Sequence, residues 1–185
     1  MSAGKLLNEL PGRLRWSLVA AAAMLVFMLV INQPLHSEPA PQGIISLQFA
    51  GTADQSAAIL NSWGERLLPW AVASLVFDYG FIAVYLAALV LLTSHLTRDR
   101  PGIREQTTAR WVKTLFIVAA LADVVENGLL LGNLRQPTDM LSLSATLCAL
   151  IKFTGLVTGA AGLVIIRASR RHPLTPEDPE QAPHA

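Results

Sequence analysis

The sequence predicts an all-α fold: a polytopic membrane four-helix bundle, with short helices in an outer loop over residues 34–66. Three observations predict it. Hydrophobic residues make up 52% of the 185-residue chain and mean hydropathy is +0.46, too apolar for an ordinary soluble domain. Four apolar runs can each cross a hydrocarbon core about 30 Å thick, some with tilt. Lys and Arg gather at alternate ends of those runs, as cytoplasmic segments of membrane proteins do. The net charge of +1 hides that asymmetry, and what remains outside the runs is too short for a soluble catalytic domain.

The first run, about residues 16–31, follows Arg13 and Arg15 and starts like a signal peptide. It continues into Asn32-Gln33-Pro34-Leu35-His36 instead of a small-residue cleavage pattern, so it reads as a retained signal anchor. The second run covers about 67–93, the third about 111–133 and the fourth about 141–166. Residues 1–168 therefore form one four-span domain. Residues 169–185 make a proline-rich, acidic tail with little to bury, expected to be disordered.

Eleven basic residues (Lys5, Arg13, Arg15, Arg98, Arg100, Arg104, Arg110, Lys113, Arg167, Arg170 and Arg171) fall on one side of the spans, and only Arg66 and Arg135 on the other. That distribution predicts cytoplasmic termini in a bacterial inner membrane. Trp16 and Trp111 then fall at the inner edge, and Trp63 and Trp70 at the outer one, as an aromatic belt would place them. The basic cluster after the fourth span directly abuts the membrane, so lipid head groups are its expected partner and nucleic acid is not.

The loop between the first two spans is long for a bare connection. Pro34, Pro39 and Pro41 keep its first part extended. The segment Gly43 to Gly51 fits strand and helix periodicity equally, and helix is favoured because a lone strand would leave backbone groups unpaired near lipid. Thr52 with Gln55 three residues later makes a capping-box pattern, opening a helix that Gly64 can close. Ile59, Leu60 and Trp63 share one side of it. Phe49, Thr52, Asp54 and Trp63 are the candidate lid residues, against the plainer alternative of a loop that shields helix ends.

Function is expected where ionisable groups interrupt the spans. Asp78, Asp123, Glu126 and Lys152 each stand within a span, where a charge costs roughly 2.5–3.5 kcal/mol on insertion scales. Asp123, Glu126 and Asn127 are spaced i, i+3, i+4 and share a helix face. Ser74, Asp78, Phe81, Ile82 and Tyr85 form a stripe on the second span, and Ala145, Cys148, Lys152, Gly155 and Gly159 on the fourth. Counted from the outer ends, Asp78 and Lys152 both lie about 16 Å deep. Asp123 and Glu126 fall about 8–12 Å below the outer surface. All four can meet in one cluster in the outer half of the membrane. Lys152 can hold one carboxylate ionised, most simply Asp78 or Asp123, and at least one other should carry a proton. Asn127, Tyr79 and Tyr85 can supply hydrogen bonds.

Gly128 and Gly132, and Gly155 and Gly159, repeat the spacing that lets membrane helices approach closely, either within one chain or in a homodimer. Cys148, the single cysteine, reads as a small packing hydrophobe. All four histidines lie outside the spans, and Lys152 would oppose a hard cation on the carboxylates, so no metal or other cofactor is expected. No HExxH, GxSxG, Walker or dinucleotide fingerprint is present.

The segments GIISLQFAGTADQSAAILNSWG (Gly43 to Gly64), FDYGF (Phe77 to Phe81), ADVVENGLLL (Ala122 to Leu131) and IKF (Ile151 to Phe153) resemble a group of small, uncharacterised bacterial four-span membrane proteins. The resemblance covers roughly residues 15 to 168 and implies the four-span fold. It brings no activity, so it transfers no functional residue.

Four functions fit these residues. The first is binding of an amphiphilic small molecule or lipid in an outer-half cavity, its head held by Asp78, Tyr85, Asp123, Glu126, Asn127 and Lys152. The others are proton-coupled transport by a dimer, acid-base catalysis with Asp123 or Glu126 and Lys152, and a structural polar network that fixes helix register or docks a partner. No motif names a reaction, so enzymatic activity is the less expected outcome.

Overall fold

The computed structural model describes residues 10–98 and 103–168. The expected tail, Lys5, Arg100, Arg170 and Arg171 lie outside the described residues, and no side-chain placement is described for Arg104. Among the described residues the fold is all-helical. Helix α1 runs Gly12–Asn32, the short α2 Ile44–Gln48, α3 Ala53–Thr97, α4 Ile103–Arg135 and α5 Asp139–Ala168. Helices α1, α3, α4 and α5 are each long and apolar enough to cross a membrane. They pack together as a four-helix bundle.

Local sequence explains the boundaries. Pro11 precedes the first helical residue of α1 and supplies a carbonyl that accepts the amide of Arg15 at 3.0 Å. Thr52 caps α3 by accepting the Gln55 amide at 3.3 Å, as the capping-box pattern predicts. Gly64 closes the first part of α3, as expected: its φ of 57° and ψ of −178° are non-helical, in a region open essentially to glycine. Residues 53–63 therefore form a cap segment, and the spanning part resumes at Glu65. Pro69 falls early in that second segment, where its ring removes the amide that would otherwise bond to the Glu65 carbonyl.

The helices pack unevenly. Contact is heaviest between α4 and α5, followed by α3 against α4 and α1 against α3, whereas α1 and α5 barely meet. Small residues allow the tight α4–α5 fit: Gly155 lies against Ala119 and the Leu115 carbonyl, Gly159 against the Phe116 ring, and Gly162 against Val112. The small-residue stripe of α5 is thus used for packing inside the chain. On the other flank α1 is fastened to α3 by Met24 over Gly80 and by an edge-to-face pair of Phe27 with Phe77 at 5.1 Å.

Three apolar clusters stack along the bundle. One, at the end bearing the α1–α3 connection, gathers Leu35, Leu47, Ile59, Trp63, Leu75 and Leu130. A middle one holds Ile82, Tyr85 and Ala120, and one at the opposite end holds Leu96, Val112, Phe116 and Ile166. Trp16, Trp70 and Trp111, expected in an aromatic belt, are exposed, whereas Trp63 is 2% exposed and turned away from any lipid interface. Trp63 turns inward because its indole N–H donates to the Leu35 carbonyl at 2.7 Å, pinning the cap segment onto the chain leaving α1.

Candidate functional site

The connection after α1 is built around Asn32. Its Oδ1 accepts the Ile44 amide at 2.8 Å and its Nδ2 donates to the Gln42 carbonyl at 3.1 Å. Gly43, with φ of 60°, passes so close that a Cβ there would run into the Asn32 side chain. Folded back this way, α2 lies across the bundle end. Its C-terminal end is tied to α5, where the Thr146 hydroxyl donates to the Gln48 carbonyl at 2.9 Å and Phe49 stacks on Phe153 at 5.8 Å.

A second set of polar contacts holds the cap segment. Asn133 donates to Ser56 and Ser142 at 3.0 and 3.1 Å, the two serine hydroxyls lie 2.8 Å apart, and the Thr138 amide donates to Asn133 Oδ1 at 3.3 Å. The Ala53 amide donates to Asp139 at 2.7 Å. These groups are mutually satisfied, which makes them a clasp between the cap and the α4–α5 turn.

Beneath α2 the ionisable groups converge as their depths predict, in a particular pairing. Lys152 Nζ lies 3.1 Å from Asp123 Oδ1 and 2.8 Å from Glu126 Oε2. Tyr85 donates to Asp123 Oδ2 at 3.0 Å. Asp78, expected as a simple partner for the ammonium, instead accepts from Asn127 Nδ2 at 2.7 Å and forms no ion pair among the described residues. The reason is azimuthal: Asp123 and Glu126 are a turn apart on α4, the helix most closely packed on α5, so they reach Lys152 together. Tyr79 stands apart, its hydroxyl 3.4 Å from the Val124 carbonyl. Cys148 is half-buried and outside the paired groups.

Against this cluster lies a cavity of about 410 Å³. Its apolar wall comes from Leu18, Leu25 and Leu29 of α1, Leu75 and Leu89 of α3, and Leu156 of α5. Its lining on α1 runs from Leu18 to Asn32 at roughly helical spacing, through Ala21, Leu25, Met28 and Leu29, a length of about 21 Å along a helix. Leu25, Leu29 and Phe153 also reach the exposed surface, so the cavity opens sideways between α1 and α5, where the bundle is not closed.

The polar groups divide between wall and backing. Asp78, Tyr85, Asp123 and Lys152 line the cavity; Glu126 and Asn127, both fully buried, stand behind them. The lid expectation needs correcting in its residues. Ile44, Ile45 and Gln48 of α2 border the cavity, whereas Phe49, Thr52, Asp54 and Trp63 do not. Phe49 braces α2 against α5, Thr52 caps α3, Trp63 anchors the cap, and Asp54 is exposed in its first turn. Sequence reasoning also passed over Gln48 and Asn32, and it gave Ser74 no role beyond its stripe. Ser74 and Gln48 border the cavity, and among the described residues Ser74 Oγ and Gln48 Oε1 have no hydrogen-bond partner, although buried polar atoms are nearly always paired.

Four spanning helices around an internal polar site define a multi-pass helical membrane protein. No protein-family model matches the chain, and no curated protein or solved structure matches it significantly.

Proposed function

We propose that the chain binds an amphiphilic small molecule or lipid in the cavity between α1 and α5. One observation carries this reading: an apolar cavity of about 410 Å³ is lined by Asp78, Ser74 and Gln48, and among the described residues Ser74 Oγ and Gln48 Oε1 have no hydrogen-bond partner. That is the composition of a ligand pocket, mostly apolar with a few convergent polar groups, and the volume lies in the usual range. The sideways opening gives a tail a route from the surrounding bilayer without crossing water. In this reading the charged trio keeps the polar end rigid, and α2 roofs it.

The test is mass spectrometry of lipids and metabolites retained after purification, comparing wild type with Ala21→Phe and Leu25→Trp, which fill the cavity from the loosely packed α1. A species retained by wild type and lost from both variants supports the reading. Identical profiles in folded proteins sink it and leave the cluster as a network that fixes helix register.

We further infer a bacterial inner-membrane location with both termini in the cytoplasm. Its support is that Arg13, Arg15, Arg98, Arg110, Lys113 and Arg167 fall at one end of the bundle and Arg66 and Arg135 at the other. Reporter fusions at residues 98 and 136 should give opposite topologies, with 98 cytoplasmic; the same side for both refutes it.

A further inference from the structure

We propose that the polar end of this cavity selects a cationic head group, so that the ligand is an amphiphilic amine and not an anionic lipid. The inference rests on the cavity reading above and adds the chemistry of the head. Three carboxylates meet one ammonium here, and the structure shows which two the ammonium serves. Asp123 has Lys152 on one oxygen and the Tyr85 hydroxyl on the other. Glu126 has Lys152 at 2.8 Å. Asp78 has only a neutral amide, Asn127, on Oδ2, and Oδ1 accepts no hydrogen bond among the described residues. Asp78 is therefore the carboxylate that lines the cavity without a cation of its own.

Two further atoms at this end point to a donor-bearing ligand. Ser74, 1% exposed and one helical turn from Asp78, and Gln48, 6% exposed on the roof, both line the cavity, and among the described residues the Ser74 Oγ and Gln48 Oε1 atoms have no hydrogen-bond partner. An ammonium N–H group could donate to Asp78 and to either of these oxygens, and charge-assisted bonds are roughly twice as strong as neutral ones. A phosphate or carboxylate head would instead meet three carboxylates, with only an ammonium that is already held by two of them. Such like-charge juxtaposition rejects wrong partners effectively.

The experiment uses the full chain in phosphatidylcholine nanodiscs at pH 7, titrated with dodecylamine, dodecanol and dodecyl phosphate, with empty nanodiscs subtracted. These probes share a tail and differ only in the head. The amine should bind about tenfold more tightly than the alcohol, as a charged hydrogen bond against a neutral one implies, and the phosphate most weakly. Asp78→Asn keeps the bond to Asn127 and should bring the amine down to the alcohol's affinity for the same variant. Alcohol or phosphate binding as tight as the amine's, or an amine preference that survives Asp78→Asn, overturns the head-group assignment while the cavity reading stands. If no probe exceeds the empty-nanodisc background, or Ala21→Phe binds all three as wild type does, the cavity reading itself fails.

Discussion

Replacing Lys152 by Met removes the one cation shared by two buried carboxylates and keeps most of the side chain's volume. At separations of 3.1 and 2.8 Å and an effective dielectric of about 20, the two attractions are worth about 5 and about 6 kcal/mol before solvation is counted. Desolvating the three charges takes back several kcal/mol each. Asp123 is only 4% exposed and Glu126 not at all, so neither can turn to water when its partner goes. Removing one member of such a buried set costs about 3–5 kcal/mol. Mixed-micelle titration with dodecyl sulfate, followed by far-ultraviolet circular dichroism, measures it. Adding Asp123→Asn and Glu126→Gln to Lys152→Met should recover most of the loss, because the uncompensated charges are then gone. Asp78→Asn, which breaks no ion pair, should cost less than about 1 kcal/mol, the scale of one net hydrogen bond. A Lys152→Met variant as stable as wild type, or one not rescued by the neutralised pair, refutes the assignment of Asp123 and Glu126 as joint partners of the ammonium.

Three other substitutions test the frame around the site. Gly159→Ala drives a methyl group into the Phe116 ring, and since Phe116 is fully buried the variant should lose about 1–3 kcal/mol by overpacking in the same titration; Gly128→Ala, whose nearest neighbour is the Tyr79 hydroxyl at 3.7 Å, should lose far less. Gly43→Ala combines a positive φ with a collision against Asn32, a strain of about 1–3 kcal/mol that should speed hydrogen exchange at the amides of residues 44–48 while those of α4 stay protected. Asn133→Ala leaves the buried hydroxyls of Ser56 and Ser142 without their shared partner, and melting should fall by an amount corresponding to about 1–3 kcal/mol; no change would show that the clasp bears no weight.

The membrane fold was legible because hydrophobic length, basic flanks and helix rise are one-dimensional quantities. The same arithmetic set Asp78, Asp123, Glu126 and Lys152 at compatible heights, and the structure brings those groups together. Rotation about the bundle was not legible, because each helix's stripe says which residues share a face but not which neighbour that face meets. Hence the pairing of Lys152 with both Asp123 and Glu126, the isolation of Tyr79, and the placement of Asp78 beside Asn127 emerge only with packing. The loop was half readable. Thr52 announced its cap, and Gly64 the break that closes the cap segment. Asn32 stood in the sequence as part of a connector, and its grip on Ile44 depends on a turn at Gly43 that no periodicity records.

The ammonium and both of its carboxylates belong to α4 and α5, two consecutive helices joined by the three-residue turn 136–138. During synthesis α4 alone would carry Asp123 and Glu126 toward the bilayer uncompensated, at a cost of several kcal/mol on insertion scales. Delivered as a hairpin, the pair arrives already neutralised to within one charge. α1, with no ionisable residue in its apolar stretch, needs no such companion and can be seated first. A chain stopped after residue 135 should therefore integrate its last helix poorly in a translocon assay, and extension through residue 168 should restore it.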